Sequence, residues 1–227
     1  MRVLALDTAL GACTAAVFED GRALAVAEVA MTIGHQERLA GLARDAVADA
    51  GGGFAALDRI GVTVGPGSFT GLRVGLAFAQ GLGAALDRPV VGISTLDALA
   101  ASTAPTGLVA ALIDARRGQV YARLFRDGAP VSTAEPLALD VALERLTAFR
   151  DTAPGEALTL IGSGAALLAE GLPGATLLPL AAPTAEALTR LIVLADPAAA
   201  SPRPLYLRAP DATPPTRLPG QPRPPRP

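Results

Sequence analysis

The apolar positions of the chain form two kinds of pattern, short continuous runs and runs with helical spacing. Short runs bounded by Gly, Asp or Pro predict strands, and spacings of three and four residues predict helices. In the first half, the strand-like runs cover residues 2–7, 13–19, 24–30, 59–64 and 89–93. The helical spacings cover residues 36–50 and 69–86. The first three strands are separated by tight turns, one of them Asp20-Gly21, and therefore predict an antiparallel meander.

The second half repeats the order of the first. After Asp7 and again after Asp114, a glycine follows four residues on, a phenylalanine eleven on and an Asp-Gly pair thirteen on. Residues 158–164 also resemble residues 59–67, a strand that ends in a glycine-containing turn. Each half therefore predicts a β-β-β-α-β-α unit, and the chain is interpreted as a divergent tandem duplication whose second half is eroded.

Two such units, each with a carboxylate at the end of a strand, predict a shared cleft. The turns at Asp7, Gly65, Asp114 and Gly162 should meet there. By analogy, the predicted fold is α/β, with the two lobes and mixed sheets of an actin-like ATPase. The predicted divisions are an N-terminal lobe at 1–103, a C-terminal lobe at 104–209, and a disordered Pro- and Arg-rich tail at 210–227.

One glycine-rich run connects the fourth strand to the second helix. It reads Gly65-Pro66-Gly67-Ser68-Phe69-Thr70-Gly71-Leu72-Arg73-Val74-Gly75. Ser68 is suited to cap the helix, and backbone N–H groups at a helix start attract anions. Farther on, a ridge of small residues with a spacing of four consists of Gly71, Gly75, Ala79 and Gly83. The residues leave two roles open for this ridge, namely packing on the chain's own sheet or close contact with another protein.

Nucleotide binding is predicted for the cleft only in a degenerate form. The candidate contacts are Asp7, Thr8, Gly65, Pro66, Gly67, Ser68, Asp114, Gly162 and Gly164. An active cleft needs an aspartate to steer a metal-bound water and glycines whose N–H groups approach phosphate. Here Thr8-Ala9-Leu10 follows the first aspartate and Ala115-Arg116-Arg117 follows the second, so side chains occupy the positions where phosphate would lie.

Metal binding and nucleophilic catalysis lack the residues that they require. His35 is the only histidine, so the chain contains no histidine pair for a metal, and Cys13 is the only cysteine. A nucleophilic serine such as Ser68 would have only His35 as a histidine base, and nothing in the sequence places the two together. The chain has no lysine and therefore no Walker motif. We expect no metal site and no catalytic residue.

Composition narrows the class of partner. The net charge is −2 and aromatic residues make up 4% of the chain, which argues against this chain alone holding an RNA backbone or stacking its bases. A single cysteine is typical of a reducing compartment, and no leader peptide or membrane span is expected. A cytoplasmic location is therefore predicted.

Five stretches resemble a known family. They are residues 4–9 (LALDTA), 34–39 (GHQERL), 65–75 (GPGSFTGLRVG), 114–121 (DARRGQVY) and 206–208 (YLR). The chain is identified on these as a member of the bacterial TsaB (YeaZ) family, and the third stretch is the most specific. The resemblance implies the two-lobed actin-like, HSP70-like ATPase fold. It also implies a non-catalytic subunit in the synthesis of N6-threonylcarbamoyladenosine at position 37 of tRNA.

The resemblance also implies partners. They are a catalytic TsaD subunit that carries the metal-binding histidines, a TsaE ATPase, and tRNA bound through the complex. Residues 93–99 (ISTLDAL) lack the His-x-x-x-His motif that the catalytic relative has at this place. No cofactor is expected in this chain itself, and ATP or ADP is expected, if anywhere, at the interface with the partner.

In the family the first two helices contact TsaD, and the same face can pair two copies of the protein. Mapped onto this chain, the predicted interface residues are His35, Leu39, Leu42, Ala46, Gly71, Leu72, Gly75, Phe78, Ala79 and Gly83. With the resemblance, the glycine ridge is predicted to contact the partner. Two alternatives to a scaffold subunit are a stand-alone ATP-binding enzyme of the actin or sugar-kinase type, which Asp7 favours, and a protease, which the single histidine disfavours.

Overall fold

The computed structural model describes residues 1–103 and 106–208, which form two lobes built on mixed β-sheets. The strands of the first sheet are β1 (Arg2–Asp7), β2 (Ala12–Glu19), β3 (Arg22–Ala30), β4 (Arg59–Gly65) and β5 (Val90–Ser94). Those of the second are β6 (Leu108–Arg116), β7 (Gln119–Arg126), β8 (Ala129–Pro130), β9 (Glu135–Ala138), β10 (Leu158–Ile161) and β11 (Thr176–Leu178). The α-helices are α1 (His35–Ala50), α2 (Phe69–Leu86), α3 (Thr95–Ala100), α4 (Leu139–Asp151) and α5 (Ala185–Leu194).

The two sheets share one topology, which confirms the predicted duplication. The strand order is β3-β2-β1-β4-β5 in the first sheet and β8-β7-β6-β10-β11 in the second. In each sheet the central strand, β1 or β6, pairs antiparallel with the next strand in sequence and parallel with β4 or β10. Between β10 and β11 a short 3-10 helix at Ala165–Leu167 stands where the first half has α2. The two-lobed α/β fold predicted from the sequence is therefore confirmed.

Helices α1 and α2 lie side by side on one face of the first sheet. The apolar spacing of α1 buries Leu39, Ala43 and Val47 in the core beneath it. Ser68 caps α2, because its Oγ accepts a hydrogen bond of 3.2 Å from the N–H of Gly71. The glycine-rich loop is thereby fixed at the carboxyl end of β4, beside the end of β1.

The last helix of each half also packs against the other half. Leu188 and Ile192 of α5 pack on β1 and β5, on the face of the first sheet opposite α1 and α2. Leu96 and Leu99 of α3 enter the core of the second sheet. The predicted boundary at residue 103 separates the two sheets, but the helices that cover them cross it.

Residues 200–208, here called the C-terminal strap, return along the first lobe. The N–H of Gly92 in β5 donates to the carbonyl of Ala200 at 2.9 Å, and the N–H of Leu205 donates to the carbonyl of Val64 at 2.7 Å. The strap therefore covers the edge of β5 and the end of β4. The predicted tail at 210–227 lies outside the described residues.

Candidate functional site

The four turns predicted to meet do line one cleft of about 440 Å³ between the lobes. Their lining residues include Ala9 and Leu10 after β1, Gly67 and Ser68 after β4, Asp114 and Arg116 at the end of β6, and Ser163 after β10. The carboxyl ends of parallel strands meet at one edge of a sheet, and the duplication places two such edges face to face. The position of the cleft was therefore predictable from the sequence.

Asp7 does not reach this cleft as a catalytic carboxylate would. Its side chain is 1% exposed, and its Oδ1 accepts hydrogen bonds from the hydroxyl of Thr63 at 2.5 Å and from the N–H of Ala9 at 3.0 Å. Its Oδ2 is buried without a hydrogen-bond partner. Burial raises the pKa of Asp7 above its ordinary value, and the bonds from Thr63 and Ala9 offset this only in part. Asp7 therefore stabilises the turn after β1 through these hydrogen bonds, with its side chain buried beneath the turn.

Several backbone N–H groups of the cleft loops are already engaged within the chain. The N–H of Ser68 donates to the carbonyl of Ala9 at 2.7 Å, and that of Gly164 to the carbonyl of Leu112 at 3.0 Å. The N–H of Gly11 donates to Ala181 at 2.9 Å. A phosphate site depends on N–H groups that point at the ligand and are free to bind it. These internal bonds remove much of that capacity.

The second turn carries two arginines in a left-handed backbone conformation. Arg116 and Arg117 have φ values of 61° and 56°, a left-handed conformation that costs a non-glycine residue about 1–2 kcal/mol. The N–H of Arg116 donates to Asp114 Oδ1 at 2.7 Å, and its guanidinium lies 3.2 Å from Asp114 Oδ2. Asp114 thus has a cation beside it, where a nucleotide site would need an uncommitted carboxylate.

The nine predicted nucleotide contacts divide into lining and buried residues. Only Gly67, Ser68 and Asp114 are among the residues that line the cleft. The buried ones are Asp7, Thr8, Gly65, Pro66, Gly162 and Gly164. Gly65 and Gly162 occupy equivalent positions and have nearly equal φ values of 109° and 105°, so each is required by its turn.

Several lining residues escaped the sequence analysis. Thr32, Tyr121 and Ala181 line the cleft but belong to segments that carry no nucleotide motif. Ala181 lies at the cleft because its carbonyl accepts a hydrogen bond from the N–H of Gly11. This bond connects segments that are 170 residues apart in the sequence. No local signal in the sequence reveals such a contact.

Replacing Asp7 with asparagine tests the buried carboxylate. Asparagine retains the Oδ1 acceptor for Thr63 and Ala9 but cannot ionise. Because the folded pKa of Asp7 is raised, the parent should lose stability as the pH rises from the unfolded value of 3.8 through the folded pKa. The free energy of unfolding in urea would be measured for both proteins from about pH 4 to about pH 8. Over this range Asp7→Asn should become increasingly more stable than the parent. A difference that grows in favour of the parent would contradict the burial of this group.

His35 and Cys13 show no arrangement for chemistry. His35 Nε2 lies 3.2 Å from the carbonyl oxygen of Ala12, so the ring is bonded to the backbone at the start of α1. Burial, with the Asp7 charge as a smaller cause, raises the pKa of the Cys13 thiol to about 11, so it is not a thiolate at neutral pH. Among residues 1–103 and 106–208 no three His, Cys, Asp or Glu side chains cluster as a metal would require.

The glycine ridge of α2 faces inward, so its predicted contact with a partner is wrong. A Cβ on Gly71 would overlap the carbonyl oxygen of Thr8, and one on Gly75 would lie 2.5 Å from Thr8 Oγ1. Gly83 is packed in the same way against Val90. The Thr8 hydroxyl donates to the carbonyl of Gly71 at 2.8 Å and holds the helix this close to β1. The ridge allows α2 to approach its own sheet.

Most of the other predicted interface residues are buried in the same core. His35, Leu39, Ala46, Leu72 and Ala79 are at most 5% exposed. They cannot contact a partner without a change in the fold, so their assignment to the interface is also corrected. Leu42 and Phe78 remain half-buried at the rim of this core.

The exposed face of α2 lies on the opposite side from the ridge and is almost free of polar groups. Between Arg73 and Asp87 its exposed residues are Ala77, Gln80, Gly81, Ala84 and Ala85. Only a third of the helix is buried, although it is long and apolar enough by composition to cross a membrane. One such helix is weak evidence for a membrane span, because helices that pack in protein interiors have the same composition. An uncharged helix face of this length is typical of a surface that packs on another protein.

Comparison with known proteins places this geometry in a family. A family model described as "TsaD: tRNA N6-adenosine threonylcarbamoyltransferase" matches residues 29–155. An uncharacterised protein of Mycobacterium leprae is 38% identical over 219 residues, which cover 93% of this chain and 56% of that protein. The "tRNA threonylcarbamoyladenosine biosynthesis protein TsaB" of Escherichia coli is 38% identical over 125 residues, which cover 53% of each chain. The matched region thus spans about half the length of each of these two relatives.

A solved structure matches over nearly the whole fold. YeaZ from Pseudomonas aeruginosa superposes with a TM-score of 0.76 at 31% identity and covers 91% of this chain and 99% of that one. Both the sequence match to TsaB and the structural match to YeaZ agree with the family that the sequence motifs resemble. The chain therefore belongs to the TsaB (YeaZ) family.

Proposed function

We propose that this chain is a non-catalytic subunit in the synthesis of N6-threonylcarbamoyladenosine in tRNA, and that it acts by binding a TsaD-type catalytic subunit. The names of its relatives support the pathway. The uncharged exposed face of α2 carries the proposal for the partner, because this face buries little within the chain itself. The half-buried Leu42 and Phe78 lie beside that face and would add apolar area to the contact.

The state of the cleft supports the absence of catalysis in this subunit. Asp7 is buried beneath its turn, and the N–H groups of Ser68, Gly11 and Gly164 are bonded within the chain. A nucleotide bound here would meet the Asp114–Arg116 ion pair rather than an open carboxylate. ATP or ADP is therefore proposed to bind, if at all, where the two subunits meet.

The remaining partners follow from the same proposal. A TsaE-type ATPase would join the complex, and tRNA would bind to the assembly. The free chain is proposed to pair with a second copy through the same α2 face, which would require that face to be self-complementary. The homodimer and the TsaD complex would then exclude one another.

An assay of threonylcarbamoyl transfer to tRNA tests this function. Purified chain would be incubated with tRNA, threonylcarbamoyl-AMP and a divalent metal, with and without a TsaD-type subunit and a TsaE-type ATPase. The chain alone should yield no modified adenosine, and the TsaD-type subunit should require the chain for efficient transfer. Modification by the chain alone would overturn the non-catalytic assignment, and transfer by the partner that is indifferent to the chain would overturn the supporting role.

A further inference from the structure

Aromatic and arginine side chains gather where the C-terminal strap crosses the start of α2. The rings of Phe69 and Tyr206 lie 5.4 Å apart, and the guanidinium of Arg73 lies 3.8 Å from the centroid of the Phe69 ring. Arg73 Nε is also 3.4 Å from the Tyr206 hydroxyl. Phe69 and Tyr206 nevertheless remain 52% and 44% exposed. Two large aromatic rings held in place and open to solvent are uncommon in a chain with so few aromatic residues.

The strap extends this cluster to the other lobe. Arg208 follows Tyr206 by two residues and donates a hydrogen bond to the side chain of Gln119. Gln119 pairs with Arg116 across the β6–β7 turn, and Arg116 lines the cleft together with Ser68, which precedes Phe69. These contacts connect the start of α2 to the edge of the cleft. The connected residues, here called the ring, are Phe69, Arg73, Tyr206, Arg208, Gln119 and Arg116.

The charge of the ring differs from the charge of the chain. The chain has a net charge of −2, but this ring contains three arginines, of which only Arg116 has an ion pair with a carboxylate among the described residues. The Arg116 side chain is 85% exposed despite that pair. Beyond the strap, the sequence from 209 to 227 adds three arginines and one aspartate. The net charge argued against this chain alone holding an RNA backbone, but it does not describe this surface.

We propose that this ring is a contact surface for single-stranded RNA, which on the proposed function would be an unpaired loop of the tRNA substrate. Exposed aromatic rings stack on bases of any sequence, and arginines neutralise the phosphates beside them. Single-stranded loops expose both groups, whereas an RNA helix hides its base faces. The same contacts hold the strap in place, so the surface is preorganised for binding.

The matched variants separate charge from stacking. Arg116→Gly removes a cation at a residue with a φ of 61°, where glycine fits better than arginine, so the fold should be retained and its Tm should not fall. Tyr206→Leu removes a ring but retains the apolar bulk of the strap. Arg22→Ala removes an exposed arginine from β3, the edge strand on the far side of the first sheet, and is the control.

The probe is a fluorescein-labelled tRNA anticodon stem-loop, titrated with the full chain by fluorescence anisotropy over a series of salt concentrations. Arg116→Gly should weaken binding about tenfold and reduce the slope of log K against log salt by about 0.7, the value for one phosphate on a single strand. Tyr206→Leu should also weaken binding about tenfold but leave the slope unchanged, since stacking releases no counterion. Arg22→Ala should bind as the parent does.

Three results would overturn the proposal. The first is that the parent chain does not bind the RNA, and the second is that all variants bind it equally. The third is that Arg116→Gly and Tyr206→Leu lose affinity for the TsaD-type subunit but not for RNA, which would make the ring a protein contact. Failure of the proposed function is distinguishable, because it appears as absent support for transfer, which this titration does not measure. A chain that supports transfer but binds no RNA would leave the proposed function intact and remove only this surface.

Discussion

Replacing Gly75 with leucine is expected to destabilise the folded chain strongly rather than only to release a partner. A Cβ at this position would lie 2.5 Å from Thr8 Oγ1 and 3.3 Å from Val62 Cγ2, so the side chain has no space. Displacement of Thr8 would also break its hydrogen bond to the carbonyl of Gly71. Overpacking and the loss of a buried bond together cost roughly 3–5 kcal/mol, a large share of the stability of a domain of this size.

The measurement is urea unfolding followed by circular dichroism, and Gly81→Leu is the matched control. Gly81 lies in the same helix, but a Cβ there would meet no atom within 4 Å. Loss of a helix glycine without a clash should stabilise the chain by about 0.5–1 kcal/mol. Equal unfolding midpoints for the two leucine variants would show that the ridge is not packed on the sheet as described.

Replacing Gly81 with arginine is expected to leave the chain folded and to abolish complex formation with a TsaD-type subunit. The new side chain extends from the exposed face into solvent in the free chain, where nothing obstructs it. In the complex the same charge would be buried in an apolar contact without a partner. An unpaired buried charge at an interface costs several kcal/mol, so affinity should fall by roughly 100-fold or more.

Size-exclusion chromatography and calorimetric titration would measure this loss. Ala148→Arg places the same charge on an exposed position of α4 in the second lobe and should bind the partner normally. The same experiment without the partner tests the proposed homodimer, which Gly81→Arg should convert to monomer. Normal binding by Gly81→Arg would exclude the exposed face of α2 from the interface.

The strands, the duplication and the meeting of four loops were predictable because each rests on local spacing. The Asp-Gly pairs, the strand-like runs and the Ser68 cap are features of a few neighbouring residues, and the structure reproduces them. The cleft followed from two equal units whose strands end in carboxylates. Local residue chemistry and the duplicated topology were together sufficient to predict the position of the cleft.

Local spacing did not show whether the glycine ridge faces the sheet or the solvent. A spacing of four residues identifies a face of α2 but not what lies against it. The sequence gives no sign that Thr8, 63 residues before Gly71, donates a hydrogen bond to its carbonyl and draws the helix onto β1. The exposed face was missed because its members are small residues such as Ala77 and Ala84, which carry no periodic signal of their own.

The burial of Asp7 and the assembly of the ring from Phe69 to Arg116 likewise depend on distant contacts. Thr63 covers the Asp7 carboxylate from a strand 56 residues away. Tyr206 reaches Phe69 only because the strap is fastened to Val64 and Gly92. The strap has no periodicity, and its Pro-rich sequence resembles that of the tail beyond it. Contacts of this kind are set by the assembled fold.

The most direct test compares Asp7→Asn and Gly81→Arg in one threonylcarbamoyl-transfer assay with a TsaD-type subunit, a TsaE-type ATPase and tRNA. If the chain acts through the α2 face and not through its own cleft, Asp7→Asn should support transfer as the parent does, and Gly81→Arg should support none. Loss of transfer with Asp7→Asn, together with full transfer with Gly81→Arg, would show that the chemistry depends on this cleft and would contradict the proposed role.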